Sequence, residues 1–216
     1  MKYITHSFRH AEVILNEPEF LELYIEMLSV IESITDEDLI RRHEGYGEED
    51  IERTPKSLSK AINQLLSERF RLFSWNTESA IFQNPDYIGD TWRLDFARDT
   101  ISIEVAFNHS TVIAWNLIKP VLASELNHVE KAIQTKIGIL ITATRGMKTL
   151  GGFDNAIGTY EKFLDYLPPL RNMLTTPLLI IGLQEPETFY IEHEQFARRK
   201  KIGRVVKYLE ELRIIL

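Results

Sequence analysis

The chain contains no cysteine in its 216 residues. Disulfides, thiolate metal sites and cysteine nucleophiles are therefore excluded, and the composition suits a reducing cytoplasm. No apolar run reaches the length needed to span a membrane. The opening, MKYITHSFRHAEVILNE, lacks the continuous apolar stretch of a secretory signal. Internal repeats, low-complexity tracts and linkers rich in Pro, Gly or Ser are also missing, so one domain over residues 1–216 is expected. A basic excess is lacking too: the formal net charge of −7 argues against a generic polyanion binder. A local basic rim around an acidic site remains compatible with that balance. What is present, 44% apolar and 26% charged residues, is enough for a sizeable core in a globular protein.

The most informative stretch is WRLDF followed by ISIEVAF. Asp95 and Glu104 are nine positions apart on two short apolar runs, separated by a turn at Arg98-Asp99. Carboxylates among such neighbours usually need a partner, because burying a bare charge is costly. Two of them brought together repel unless a cation keeps both ionised. Mg²⁺ takes oxygen ligands, typically one or two carboxylates completed by water and phosphate oxygens. The pattern therefore points to a metal site for phosphate chemistry. An ordinary hairpin with two partly exposed acids is the competing reading.

Basic residues cluster in three places: Arg198, Arg199, Lys200 and Lys201 followed by Arg204 and Lys207; Arg145 with Lys148; and Lys56, Lys60 and Arg69. Each cluster taken alone reads as a solvated helix face or loop. Residues 36–53, with an acidic excess, read as an exposed loop or mobile flap.

Apolar spacing predicts a helix from about Phe20 to Ile34, with Phe20, Tyr24, Met27, Leu28 and Ile31 on one face. Thr54-Pro55 reads as the cap and first position of a second helix carrying Leu58, Ile62, Leu65 and Leu66. FRLFSW, SAIFQ, WRLDFA and ISIEVAF read as strands. KIGILITA and PLLIIGL suit central strands buried on both faces. A helix is expected in AIGTYEKFLDYL, and a last one over about 204–215. The sum is an α/β core with a mixed sheet.

This order, with Asp and then Glu-Val-x-Phe on a hairpin, resembles the PD-(D/E)XK nucleases. HAEVILN (10–16), SLSKAINQLLSERF (57–70), LDFARDTISIEVAF (94–107), ASELNH (123–128), GILITATRG (138–146), NAIGTYEKF (155–163) and PLLIIGL (177–183) follow one another as in the BglII/BstYI group of type II restriction endonucleases. The resemblance spans roughly residues 5–183. It implies a restriction-endonuclease-like core, a central mixed β-sheet flanked by helices. It further implies a prokaryotic cytoplasmic homodimer that makes Mg²⁺-dependent cuts in double-stranded DNA at a short palindrome. Asp95, Glu104 and the Val105 carbonyl would hold the ion, which would activate a water for in-line attack and leave 5′-phosphates.

The chain departs from the group's pattern at one point. A Lys, Glu or Gln is expected two positions after the metal-binding Glu, and Ala106 stands there. Asn108 shares that face but lies roughly 13 Å from Glu104 by strand rise. Either Asn76 or Glu78 supplies the third polar group, or an engineered alanine has removed it, or the enzyme is naturally weak. Base reading is implied for Asn108, His109, Ser110, Asp154 and Asn155. Asn155 is also a candidate helix cap, and His109 a structural hydrogen-bonding residue. Arg198, Arg199, Lys200 and Lys201 are candidates for phosphate contacts. Two other readings stay open: a catalytically idle DNA-binding protein on the same scaffold, and a metal-dependent phosphodiesterase acting on RNA or small molecules.

Overall fold

A computed structural model describes residues 1–87, 89–125, 130–198 and 200–208. The chain begins with strand β1 (Tyr3–Phe8) and a one-turn helix α1 (Ala11–Leu15). The long helix α2 (Leu21–Ser33) follows, burying Tyr24, Met27 and Ile31 as their spacing predicts.

Residues 36–53 are not a flap. They open with helix α3 (Asp36–Gly45), started by a reciprocal capping box between Thr35 and Asp38. Acidic residues in its first turn and Arg42 in its last suit the helix dipole. Leu39 and His43 are buried, and Arg42 grips Glu68 with two hydrogen bonds.

Helix α4 runs Ser59–Leu72, starting later than Thr54-Pro55 suggests. Tertiary hydrogen bonds hold the intervening backbone out of the helix: Gly203 N–H donates to the Pro55 carbonyl and Leu58 N–H to that of Gly151. The apolar stripe of α4 continues to Phe70, so FRLFSW begins as helix rather than strand.

Three strands come next: β2 (Asn76–Ala80), β3 (Arg93–Arg98) and β4 (Ile101–Val105). Helix α5 (Ile113–Ser124) leads to the fully buried strand β5 (Ile137–Ala143). The short helix α6 (Arg145–Leu150), helix α7 (Tyr160–Leu170) and the buried strand β6 (Leu178–Leu183) complete the core. Six strands form one sheet in the order β1-β6-β5-β4-β3-β2. β4, β5 and β6 are parallel, and the flanking pairs are antiparallel.

The faces of the sheet follow strand alternation. Ile101 and Ile103 of β4, with Ile137, Ile139 and Ile141 of β5, pack in a core with α2 and α4. Ala106, Leu140, Leu178 and Ile180 pack in a second core with α5 and α7. Gly138 lets α5 approach closely, since a Cβ there would lie 2.4 Å from Pro120 Cβ.

The last described elements are strands β7 (Phe189–Ala197) and β8 (Lys200–Lys207), a separate antiparallel hairpin. Arg204 to Lys207 are therefore strand, not the start of a helix. Burial of Ile202 and pairing of Val205 and Val206 with Ile191 and Tyr190 favour the extended form. Residues 209–215 of the expected helix lie outside the described residues, as do 126–128 of ASELNH. Among the described residues no helix is long and apolar enough to cross a membrane.

Candidate active site

The β3–β4 hairpin turns through Asp99, whose left-handed φ of 47° is one that Asp tolerates better than most residues. Pairing of Arg98 with Ile101, Ala97 with Ser102 and Phe96 with Ile103 sets the register. Continuing it by one residue places Asp95 opposite Glu104. Cross-strand neighbours share a face, here the face that carries α5.

Glu104 is only 2% exposed. The Val105 backbone N–H donates to Asp95 Oδ2 at 2.6 Å. Lys119 Nζ, from α5, donates to Glu104 Oε2 at 2.7 Å. Glu104 Oε1 is buried and has no hydrogen-bond partner. Burial is the main cause that pushes the Glu104 carboxyl up to about 8; the Asp95 charge adds to this and Lys119 opposes it. Burial also raises Asp95, against the Val105 N–H and Lys119, while the nearby charge of Glu78 adds to the rise.

This is an oxygen donor set in a poorly hydrated site, with one carboxylate oxygen left over. A divalent cation suits paired carboxylates of this kind, completing its shell with water and substrate oxygens. Among the described residues no group of three His, Cys, Asp or Glu side chains is arranged to hold a metal, so a fuller protein cage is not offered. A cleft of about 120 Å³ opens beside Asp95, lined by Asn63, Ser67, Arg71, Glu78 and Val105 among others. A wider concavity, about 980 Å³, lies near β1 and α7, around His6, Arg9, His10 and Arg171, and contains neither carboxylate.

Asn76 is exposed at the start of β2, opposite Ala97, one pleat repeat away from the level of Asp95. Glu78 stands nearer, held in a left-handed conformation (φ 52°). Ala106 is 2% exposed and belongs to the core beneath α5. The polar group that contacts Glu104 is instead Lys119, fifteen residues further along the chain. Its sequence signal is that it is the sole charge in IAWNLIKPVLAS.

The two loops expected to read bases are joined. Ser110 N–H donates to the Ala156 carbonyl at 2.7 Å, and Gly158 N–H to that of Asn108 at 2.9 Å. Beneath them the Thr142 hydroxyl lies 2.9 Å from the Ala106 carbonyl and 3.2 Å from that of Gly158. The rings of Phe107 and Phe153 pack at 5.3 Å. Asn108, His109, Asp154 and Asn155 are exposed on the resulting surface, with Ser110 half-buried. His109 Nδ1 accepts from Thr111 N–H and so caps a short turn, the structural use expected of it. Asn155 is not a helix cap, because α7 starts at Tyr160 after Thr159. Asp154 is held by Lys56.

The basic clusters fare differently. Arg69 is bound to Asp38 and Lys60 lies over the Tyr46 ring, so with Lys56 this group is largely engaged. Arg145 faces Glu161 at 3.8 Å. Arg198 is exposed at the tip of the β7–β8 hairpin, Lys201 is exposed on β8, and Lys200 pairs with Glu52 at 3.6 Å. Arg199 lies outside the described residues. The hairpin is pinned beside the joined loops by His193 Nε2 to the Gly152 carbonyl at 2.9 Å and by His43 Nε2 to that of Gly203 at 2.8 Å.

A mixed sheet between helices, with paired carboxylates where β3 meets β4, defines a restriction-endonuclease-like nuclease. Residues 3–183 match the family model for restriction endonuclease BglII/BglIII, and the chain belongs to that family. It is a type II site-specific deoxyribonuclease; enzymes of this kind generally use a divalent metal. Two solved structures are similar in fold. One is restriction endonuclease BglII complexed with a DNA 16-mer, at TM-score 0.66 and 19% identity, covering 96% of this chain and 100% of the other. The other is free BglII, at TM-score 0.54 with the same identity and coverage. No curated protein matches the chain.

Proposed function

We propose that the chain is a homodimeric, Mg²⁺-dependent endonuclease, one nuclease domain over residues 1–216, that cuts double-stranded DNA at a short palindrome. The observation that carries the metal site is the placement of Asp95 opposite Glu104 with a buried, unpartnered Glu104 Oε1. Asp95, Glu104 and the Val105 carbonyl would hold the ion. Bound there, Mg²⁺ supplies positive charge that eases loss of a proton from water and offsets charge developing on the phosphate.

The Val105 N–H keeps the Asp95 carboxylate turned toward Glu104. The low polarity around Glu104 keeps bulk water away and strengthens each charge interaction in the site. A water oxygen attacks phosphorus in line with the bond to the 3′ oxygen. That oxygen–phosphorus bond forms as the older one breaks. One water proton goes to solvent and the departing 3′ oxygen takes up a proton, leaving a 3′-hydroxyl and a 5′-phosphate.

Asn108, Ser110, Asp154 and Asn155 would contact base edges, with His109 beside them. Asn and Ser both donate and accept, and Asp accepts from cytosine N4. Arg198, Arg199, Lys200 and Lys201 would contact phosphates and so orient the duplex without reading it. Two subunits related by a twofold axis would match a palindromic site, with α2 or the strand-rich middle as the interface.

The test is incubation of phage DNA with the protein and Mg²⁺. Discrete fragments with 5′-phosphates, suppressed by chelator, are expected. Retarded but intact DNA would instead make it an idle DNA-binding protein, and no interaction would leave an RNA or small-molecule phosphodiesterase. Sedimentation at micromolar concentration with DNA present should show a dimer; a monomer would count against palindrome cutting.

A further inference from the structure

The third polar group of the active site is missing at Ala106, yet the site is not without a cation. We propose that Lys119 supplies it: its ammonium, held by Glu104, presents its remaining donors to the attacking water and the scissile phosphate. This rests on the nuclease reading above.

Three observations carry the assignment. Lys119 Nζ is 2.7 Å from Glu104 Oε2, and the two side chains are only 13% and 3% exposed. Asp95 lies opposite Glu104 in the β3–β4 register, so the residue that Lys119 holds is one of a carboxylate pair. An ammonium has three donors, and Glu104 is the hydrogen-bond acceptor found for it, which leaves two N–H groups for substrate.

The helix is seated to deliver it. Pro120, the next residue, rests directly on Gly138 of β5, and Leu117 packs in one core with Ala106. The small side chain at 106 and the missing one at 138 let α5 lie close enough for Lys119 to reach over the end of β4. Ala106 is thus part of the seat for the residue that replaces it.

Stability alone does not explain the pair. Two buried opposite charges lose most of their attraction to desolvation, and apolar residues of similar size often serve a fold better. A lone lysine in an otherwise uncharged helix, meeting the least exposed carboxylate of the sheet, is a costly arrangement without a chemical use. In the reaction, an ammonium beside the phosphate would stabilise the charge that grows on its oxygens and hold the water in line. Removing one such donor usually costs ~100-fold to ~1000-fold in rate.

The absence of cysteine permits a direct test. Lys119→Cys would create the sole thiol in the chain. Because the position is nearly buried, alkylation is done in urea, followed by refolding, with wild type taken through the same steps. 2-Bromoethylamine restores an ammonium of nearly lysine length, and iodoacetamide leaves a neutral amide. Single-turnover cleavage with enzyme in excess over DNA, KM for DNA under multiple turnover, and calorimetric Ca²⁺ binding are then compared.

We expect the amide form to fold, to bind Ca²⁺ and DNA within about 3-fold of wild type, and to cleave at least ~100-fold more slowly. The aminoethyl form should recover most of the rate. Cleavage by the amide form near the wild-type rate would overturn the assignment, as would an aminoethyl form no faster than the amide. An amide form that fails to fold or to bind Ca²⁺ would reduce Lys119 to a structural partner of Glu104 and overturn it equally. Wild type that binds Ca²⁺ but never cuts DNA would instead sink the nuclease reading itself.

Discussion

The backbone N–H of Val105 donates to the side chain of Asp95 across the β3–β4 hairpin at 2.6 Å. A main-chain group next to one carboxylate therefore aims the other. Both carboxylates stand on paired strands and not on loops, so the sheet register sets their separation.

Asp95→Ala should abolish cleavage and leave sequence-specific DNA binding measurable. The lost group acts on the ion and not on bases, so the preference for cognate over non-cognate DNA should survive the substitution. Gel retardation alongside a cleavage assay checks both. Retained cleavage would remove Asp95 from the mechanism.

The metal-free protein should lose stability as pH rises toward about 8 on account of Glu104. Its folded pKa lies above its unfolded value, so the folded state holds the proton more tightly between the two. That contribution is fully present below the unfolded carboxyl range and is lost as pH passes through about 8. Urea midpoints at pH 6 and pH 9 should fall more for wild type than for Glu104→Gln. Ca²⁺ should bind more tightly at the higher pH, because the ion must displace that proton. Equal slopes in the two proteins would show that Glu104 does not titrate in this window.

Ala106→Gln should not raise activity. The position is buried under α5, and a larger side chain overpacks such a core at a cost of about 1–3 kcal/mol. Thermal unfolding should move down, and the cleavage rate should fall as α5 is displaced. A gain in cleavage would favour an engineered alanine at this place.

Asn108 and Lys201 should respond in opposite ways. Asn108→Ala should cost the cognate site roughly 1–3 kcal/mol and leave non-specific binding nearly unchanged. Arg198→Ala and Lys201→Ala should weaken both DNAs alike and flatten the salt dependence by up to about 0.9 per lost phosphate contact. Lys200 is engaged by Glu52 and should contribute less to that slope. Titrations of both DNAs at several salt concentrations separate these roles.

The sequence alone carries the local periods: the apolar stripes of α2, α4 and α7, the buried runs of β5 and β6, and the hairpin with its nine-residue carboxylate spacing. These are legible because strand alternation and helix repeats are properties of neighbours along the chain. The capping box that starts α3 is equally local, a pairing of Thr35 with Asp38 three residues on.

Tertiary structure alone decided the rest. Lys119 reaches Glu104 only because α5 crosses β4 and β5 over Ala106 and Gly138, a contact between segments with no shared period. Backbone bonds from Gly203 and Gly151 hold residues 55–58 out of α4, and cross-strand pairing with β7 turns residues 200–207 into strand. In each case a long-range hydrogen bond or close packing outweighed local propensity, and sequence spacing carries no measure of either.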